Sequence, residues 1–139
     1  MNLDERLAEL GRQFAHREVA HRDALAQARE CAQSLHRQVG AALDCFHTAA
    51  GDGAPHIRLT LGEPRVDDKH IHSVQFDLRR GRCWGIVTVK SRGEITLVGP
   101  FRQGKTEGPC RTFPMTASET LEKSLAEFLE AFIEEALRS

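Results

Sequence analysis

The chain has 139 residues, with 19 Lys and Arg against 20 Asp and Glu, 40% hydrophobic residues, seven Phe, one Trp and no Tyr. That profile suits one globular domain and excludes collagen-like, disordered and membrane-spanning classes. A net charge of -1 also argues against a generally basic, histone-like nucleic-acid binder, although a balanced total can conceal segregation along the chain.

On a wheel of about 100° per residue, Leu3, Leu7, Leu10, Phe14, His21, Leu25, Ala28, Ala32, Leu35, Val39, Leu43 and Phe46 fall in one stripe about 80° wide. One helix is expected. Asn2 with Glu5 three positions on supplies the N-cap pair, Ala49-Ala50-Gly51 supplies the stop, and no Pro or Gly cluster interrupts the run. Gly11 and Gly40 each cost about 1 kcal/mol relative to Ala. About 46 residues rising ~1.5 Å each reach roughly 70 Å, whereas a compact chain of this length has a radius of gyration near ~14 Å. Such a helix must overhang its own domain. Residues 1–50 therefore read as a coiled-coil-like oligomerisation helix, with a second copy, as dimer or higher oligomer, for partner. The expected interface is Leu3, Leu7, Leu10, Phe14, His21, Leu25, Ala28, Ala32, Leu35 and Val39. His21 is the one titratable group in that seam, and its charging below about pH 6.5 should weaken association. The competing reading is a solvated or bent helix that packs only its last turns on the body.

Residues 51–139 read as a small α+β domain. After Gly51 the apolar period changes from 3.6 to two, with Ile57, Leu59 and Leu61 alternating against His56, Arg58 and Thr60. Strands are expected around 57–61, 74–78, 84–89, 95–98 and 111–113. The connectors Arg80-Gly81-Arg82 and Ser91-Arg92-Gly93 are short and carry glycine where a hairpin needs positive φ, so an antiparallel meander of four or five strands follows. Thr116-Ala117-Ser118-Glu119 has the form of a capping box opening a second helix. Its apolar face, from Leu121 to Leu137, should cover one side of the sheet. Val87, Val89, Val98 and Phe113 suggest that the other side is also partly covered, by the end of the long helix or by a second subunit.

Gly99-Pro100-Phe101-Arg102-Gln103-Gly104-Lys105-Thr106 matches the phosphate-loop pattern GxxxxGK[ST]. A phosphate cradle needs a helix opening at Lys105 and Thr106, but Glu107-Gly108-Pro109 breaks helices, so the stretch reads as a loop between antiparallel strands. His70 and His72, aligned on a strand, would supply half of a metal site, with no Asp, Glu or Cys at a spacing that completes it. Cys31, Cys45, Cys83 and Cys110 lack paired spacing and read as reduced thiols in a cytoplasmic protein. No basic, apolar leader opens the chain, and no run approaches the roughly 20 apolar residues of a membrane span.

Charge is segregated. Residues 58–115 carry eleven Lys and Arg against six acids, and residues 116–139 carry six acids against two bases. Arg79, Arg80, Arg82, Arg92, Arg102 and Lys105 are the candidate contacts to phosphates or to a protein partner. Phe76, Trp84 and Phe101 are expected to alternate mostly into the core, which disfavours a base-stacking platform. The function expected is a non-catalytic homo-oligomeric interaction or assembly module with a further protein partner, no cofactor and no membrane. A nucleic-acid-associated accessory protein using the basic sheet is the alternative, and a small metal- or thiol-dependent enzyme comes third.

Overall fold

A computed structural model describes residues 2–51, 55–67, 72–104 and 108–138. The first element, α1, is a single helix of 48 residues from Leu3 to Ala50, about 72 Å long at ~1.5 Å per residue. Asn2 caps it, its Oδ1 accepting from the Glu5 N–H at 2.8 Å, and Gly51 ends it. After a 3₁₀ turn at Pro55–Ile57 come β1 (Thr60–Leu61), β2 (Arg65–Asp67), β3 (Ser73–Arg80), β4 (Cys83–Lys90), β5 (Glu94–Arg102), β6 (Cys110–Pro114) and the helix α2 (Ser118–Ala136). The fold is α+β.

All strand pairings are antiparallel. The order is β1-β3-β4-β5-β6, with β2 also pairing to β3. The turns after β3 and after β4 place Gly81 and Gly93 at positive φ, as the short connectors require. The strand expected at 57–61 is reduced to two residues. Gly62 and Pro64 interrupt it, and the chain resumes pairing to the same neighbour as β2, whose single apolar residue, Val66, is exposed. Trp84 pairs with Phe101 and Ile86 with Val98, so an irregularity in the ladder lies at Gly85.

Cross-strand register sorts the two faces. Val74 opposes Val89, Phe76 opposes Val87, Val87 opposes Leu97, and Ile95 opposes Phe113. These residues are buried on one face, in a single core with Ala28, Ala32, Leu35, Val39 and Leu43 of α1 and Leu125, Phe128, Leu129 and Phe132 of α2. Both helices thus cover the same side. α1 lies over β3 and β4, while α2 lies over β4, β5 and β6. The expectation that Val87, Val89 and Phe113 mark a second covered face is corrected: they face the helices, and Val98, on the opposite phase of β5, is half-buried on the open side. An antiparallel sheet needs only one covered face.

Small residues set how closely each helix approaches. Ala28 and Ala32 are fully buried, which lets the α1 backbone lie close to the sheet. Gly85 does the same for α2, since a Cβ there would stand 2.9 Å from the Phe128 ring. Fully burying a side chain such as Leu35 or Phe132 contributes roughly 1.5–3 kcal/mol each. The capping box expected at Thr116–Glu119 does not form. α2 starts at Ser118 with Ala117 as N-cap and no side-chain capping bond, while the Thr116 carbonyl accepts from the Ser118 N–H at 3.0 Å. The core spans both sides of residue 50, because α1 belongs to it from Ala28 onward.

Candidate functional site

The stripe of α1 divides in two. Ala28, Ala32, Leu35 and Val39 are covered by the chain's own sheet, and Leu25 packs at the margin of the same core. From Asn2 to Ala20 every residue is exposed, an overhang whose 18 helical residues run about 27 Å at ~1.5 Å each. Leu3, Leu7, Leu10 and Phe14, at 69%, 57%, 47% and 57% exposure, form its apolar stripe. Local contacts on the overhang are modest. The Arg12 guanidinium meets the Glu9 carboxylate at 2.9 Å, and Arg17 sits 5.1 Å from the Phe14 ring centroid.

His21 sits where the helix joins the body. Its ring lies edge-on to that of His72, with centroids 4.4 Å apart. His72 precedes β3 with φ at 47° and so is not on a strand, contrary to expectation. His70 lies outside the described residues. Among the described residues no three His, Cys, Asp or Glu side chains converge to hold a metal ion.

The basic residues disperse. Arg80 is a clamp: Nη1 donates to the Ala136 carbonyl at 2.8 Å and Nη2 to the His56 carbonyl at 2.7 Å, tying the end of α2 and the 3₁₀ turn to β3. Arg102 faces Glu135 at 3.9 Å, Arg111 pairs with Glu127, and Arg92 meets Glu94 at 3.1 Å. Part of the basic excess of the sheet is therefore met by acids of α2 within the chain. Arg82 is exposed in its turn. Lys105 and Thr106 lie outside the described residues. Gly99 to Arg102, the first half of the phosphate-loop pattern, belong to β5, and from Cys110 the chain pairs antiparallel to it as β6.

Arg79 stands apart from the other arginines. On the open face, beside the kink between β1 and β2, Gly62, Glu63, Arg65, Asp77, Arg79 and Trp84 line a cleft of about 270 Å³. The Gly62 N–H donates to the Asp77 carbonyl at 2.8 Å. A Cβ at Gly62 would lie 2.2 Å from Asp77 Oδ1, so only glycine lets the chain cross over this carboxylate. Asp77 is sunk at the floor, its side chain 8% exposed, with Arg65 Nη2 at 3.5 Å and Arg79 Nε at 3.8 Å. The Arg79 guanidinium carbon lies 5.1 Å from the Trp84 ring centroid, within cation–π range.

Asp77 and Gly62 carry no signal of their own in the sequence. Trp84 does carry one: its parity differs from that of Val87 and Val89, which by alternation alone assigns it to the other face. Phe76 is in the core as expected, but Trp84 is not.

The thiols are free. Burial pushes Cys31 above its ordinary value, and Cys83 is pushed up by burial and then by Glu135, against an opposing pull from Arg102. Raised thiol values work against nucleophilic use. No helix among the described residues is long and apolar enough to cross a membrane. No protein-family model matches the chain, and neither does any curated protein or solved structure.

Proposed function

We propose that the chain is a non-catalytic, homo-oligomeric interaction module in which the overhang of α1 is the contact segment. The observation that carries this is the stripe Leu3, Leu7, Leu10 and Phe14, half or more exposed on a helix segment with no buried residue. Helices in proteins owe most of their stability to packing of an amphipathic face, which this segment lacks within the monomer, and Gly11 weakens it by about 1 kcal/mol. Burial against another helix would stabilise it.

The spacing of four, three and four residues is that of a two-helix seam. A second copy is the occupant that the residues favour. Paired antiparallel about the midpoint of Leu7 and Leu10, two overhangs set Leu3 of one against Phe14 of the other, Leu7 against Leu10, and Glu5 beside Arg12. With Asp4, Glu5, Glu9 and Glu18 against Arg6, Arg12 and Arg17, the segment has almost no net charge to oppose self-pairing.

Sedimentation velocity of the whole chain and of a Leu7→Glu/Leu10→Glu variant tests the reading. Both positions are exposed, so the monomer fold should persist. The parent should sediment as an oligomer and the variant as a monomer. A monomeric parent, or a variant that associates as the parent does, would overturn the proposal.

A further inference from the structure

The cleft at the β1–β2 kink has an unusual electrostatic make-up. A carboxylate this deeply buried is normally held by close, well-formed bonds. Among the described residues the Asp77 side chain has instead one hydrogen bond, from Arg65 at 3.5 Å, and a second cation, Arg79, at 3.8 Å. A carboxylate has about four acceptor positions, so it has capacity for further donors. Both arginines point largely to solvent, with side chains 62% and 46% exposed, leaving most of their N–H groups able to bind elsewhere. Glu63 is exposed beside them.

Arg65 and Arg79 against Asp77 and Glu63 sum to zero. A simple anion entering the cleft meets the Asp77 carboxylate, and a simple cation meets two guanidinium groups. A molecule that carries both charges a few bonds apart satisfies both. We propose that this cleft is a binding site for a free α-amino acid in its zwitterionic form. The ligand ammonium would donate to Asp77, its carboxylate would accept from Arg65 and Arg79, and its side chain would lie along the Trp84 wall. The volume of about 270 Å³ suits a ligand of that size. Glycine at position 62 keeps the Asp77 carboxylate in place at the floor, because a side chain there would displace it.

Trp84 is the chain's only Trp, and Tyr is absent, so intrinsic emission reports this cleft directly. The experiment titrates the full chain with glutamate, lysine, leucine and phenylalanine while following Trp84 emission. It then repeats the titration with the N-acetyl and the carboxamide forms of whichever amino acid responds best. A saturable emission change is expected for at least one amino acid. Blocking either charge should weaken binding about tenfold or more, and Arg65→Gln and Arg79→Gln should each do the same. Both arginines are exposed, so these variants should keep the fold, which circular dichroism melts would verify. The proposal is overturned if no amino acid changes the emission, if a blocked form binds as tightly as its parent, or if the arginine variants bind unchanged. Quenching by a single-stranded oligonucleotide with no response to amino acids would also overturn it and assign the cleft to nucleic acid instead.

Discussion

Leu7 and Leu35 occupy the same stripe of the same helix, yet Leu35 is 1% exposed and Leu7 is 57% exposed. Periodicity treats the two alike, because 3.6-residue spacing reports which face of a helix is apolar and nothing about what lies opposite that face. The opposite surface is supplied by residues far away in sequence. For Leu35 it is the sheet formed by β3 and β4. For Leu7 the described residues offer none. A continuous amphipathic helix can thus be core over one half and bare over the other.

The largest consequence lies in how the two halves bear truncation. Leu35→Ala should destabilise the chain by about 2–5 kcal/mol, since a fully buried leucine leaves a cavity in a close-packed core. Leu7→Ala should change the stability of the monomer by no more than about 0.5 kcal/mol, while weakening self-association. Urea melts at low protein concentration check both values. Equal losses for the two variants would mean that the overhang is held by the body after all.

Glycine sharpens the comparison by changing sign. Gly85→Ala puts a methyl group 2.9 Å from the Phe128 ring, and forcing α2 away from β4 should cost about 1–3 kcal/mol. Gly11→Ala in the overhang meets nothing within 4 Å, so removing a helix-weakening residue should contribute up to about 1 kcal/mol to helix stability. Amide exchange of residues 3–20 in the Gly11→Ala chain should slow relative to the parent. Thermal melting should show the Gly85→Ala loss.

These contrasts also mark what could be read from the residues. α1 was legible to within a few residues because its stripe, its Asn2 cap and its Gly51 stop all agree. β3, β4 and β5 were legible from the alternation of Val74, Phe76 and Leu78 and of their neighbours. The edge was not: β2 has only Val66 as an apolar member, and its pairing depends on the turn at Gly62 and Pro64 bringing it back to β3. The layer arrangement was missed because Val87 and Val98 are both apolar but sit on different phases of paired strands. In the cleft, Arg65 and Arg79 stood among many other arginines. Asp77, between Phe76 and Leu78, reads as solvent-facing. Its burial comes from a chain crossing at Gly62, which no local pattern encodes. The start of α2 failed for a local reason, because a Thr116–Ser118 backbone bond replaced the expected side-chain cap.

The smallest expected effect concerns the thiols. Cys45 and Cys110 are exposed, Cys31 is half-buried between Ala28 and Ala32 of α1, and Cys83 is buried. Burial raises Cys31 and Cys83 above the ordinary thiol value of 9.0. In the unfolded chain these two thiols lose their protons near that ordinary value, while in the folded chain they keep them to higher pH. Their contribution to stability is therefore fully present below about pH 9 and is lost as pH rises through the folded values. Melting temperatures should begin to fall above that point, and Cys31→Ala/Cys83→Ala should flatten the alkaline limb. Labelling at neutral pH supplies the kinetic side of the comparison. Cys45 and Cys110 should react with a disulfide reagent at once. Cys31, half-buried at the place where α1 passes from bare to covered, should react more slowly than either. If Cys31 labels as fast as Cys45, the covered half of α1 opens as readily as the overhang, and the division between the two halves fails.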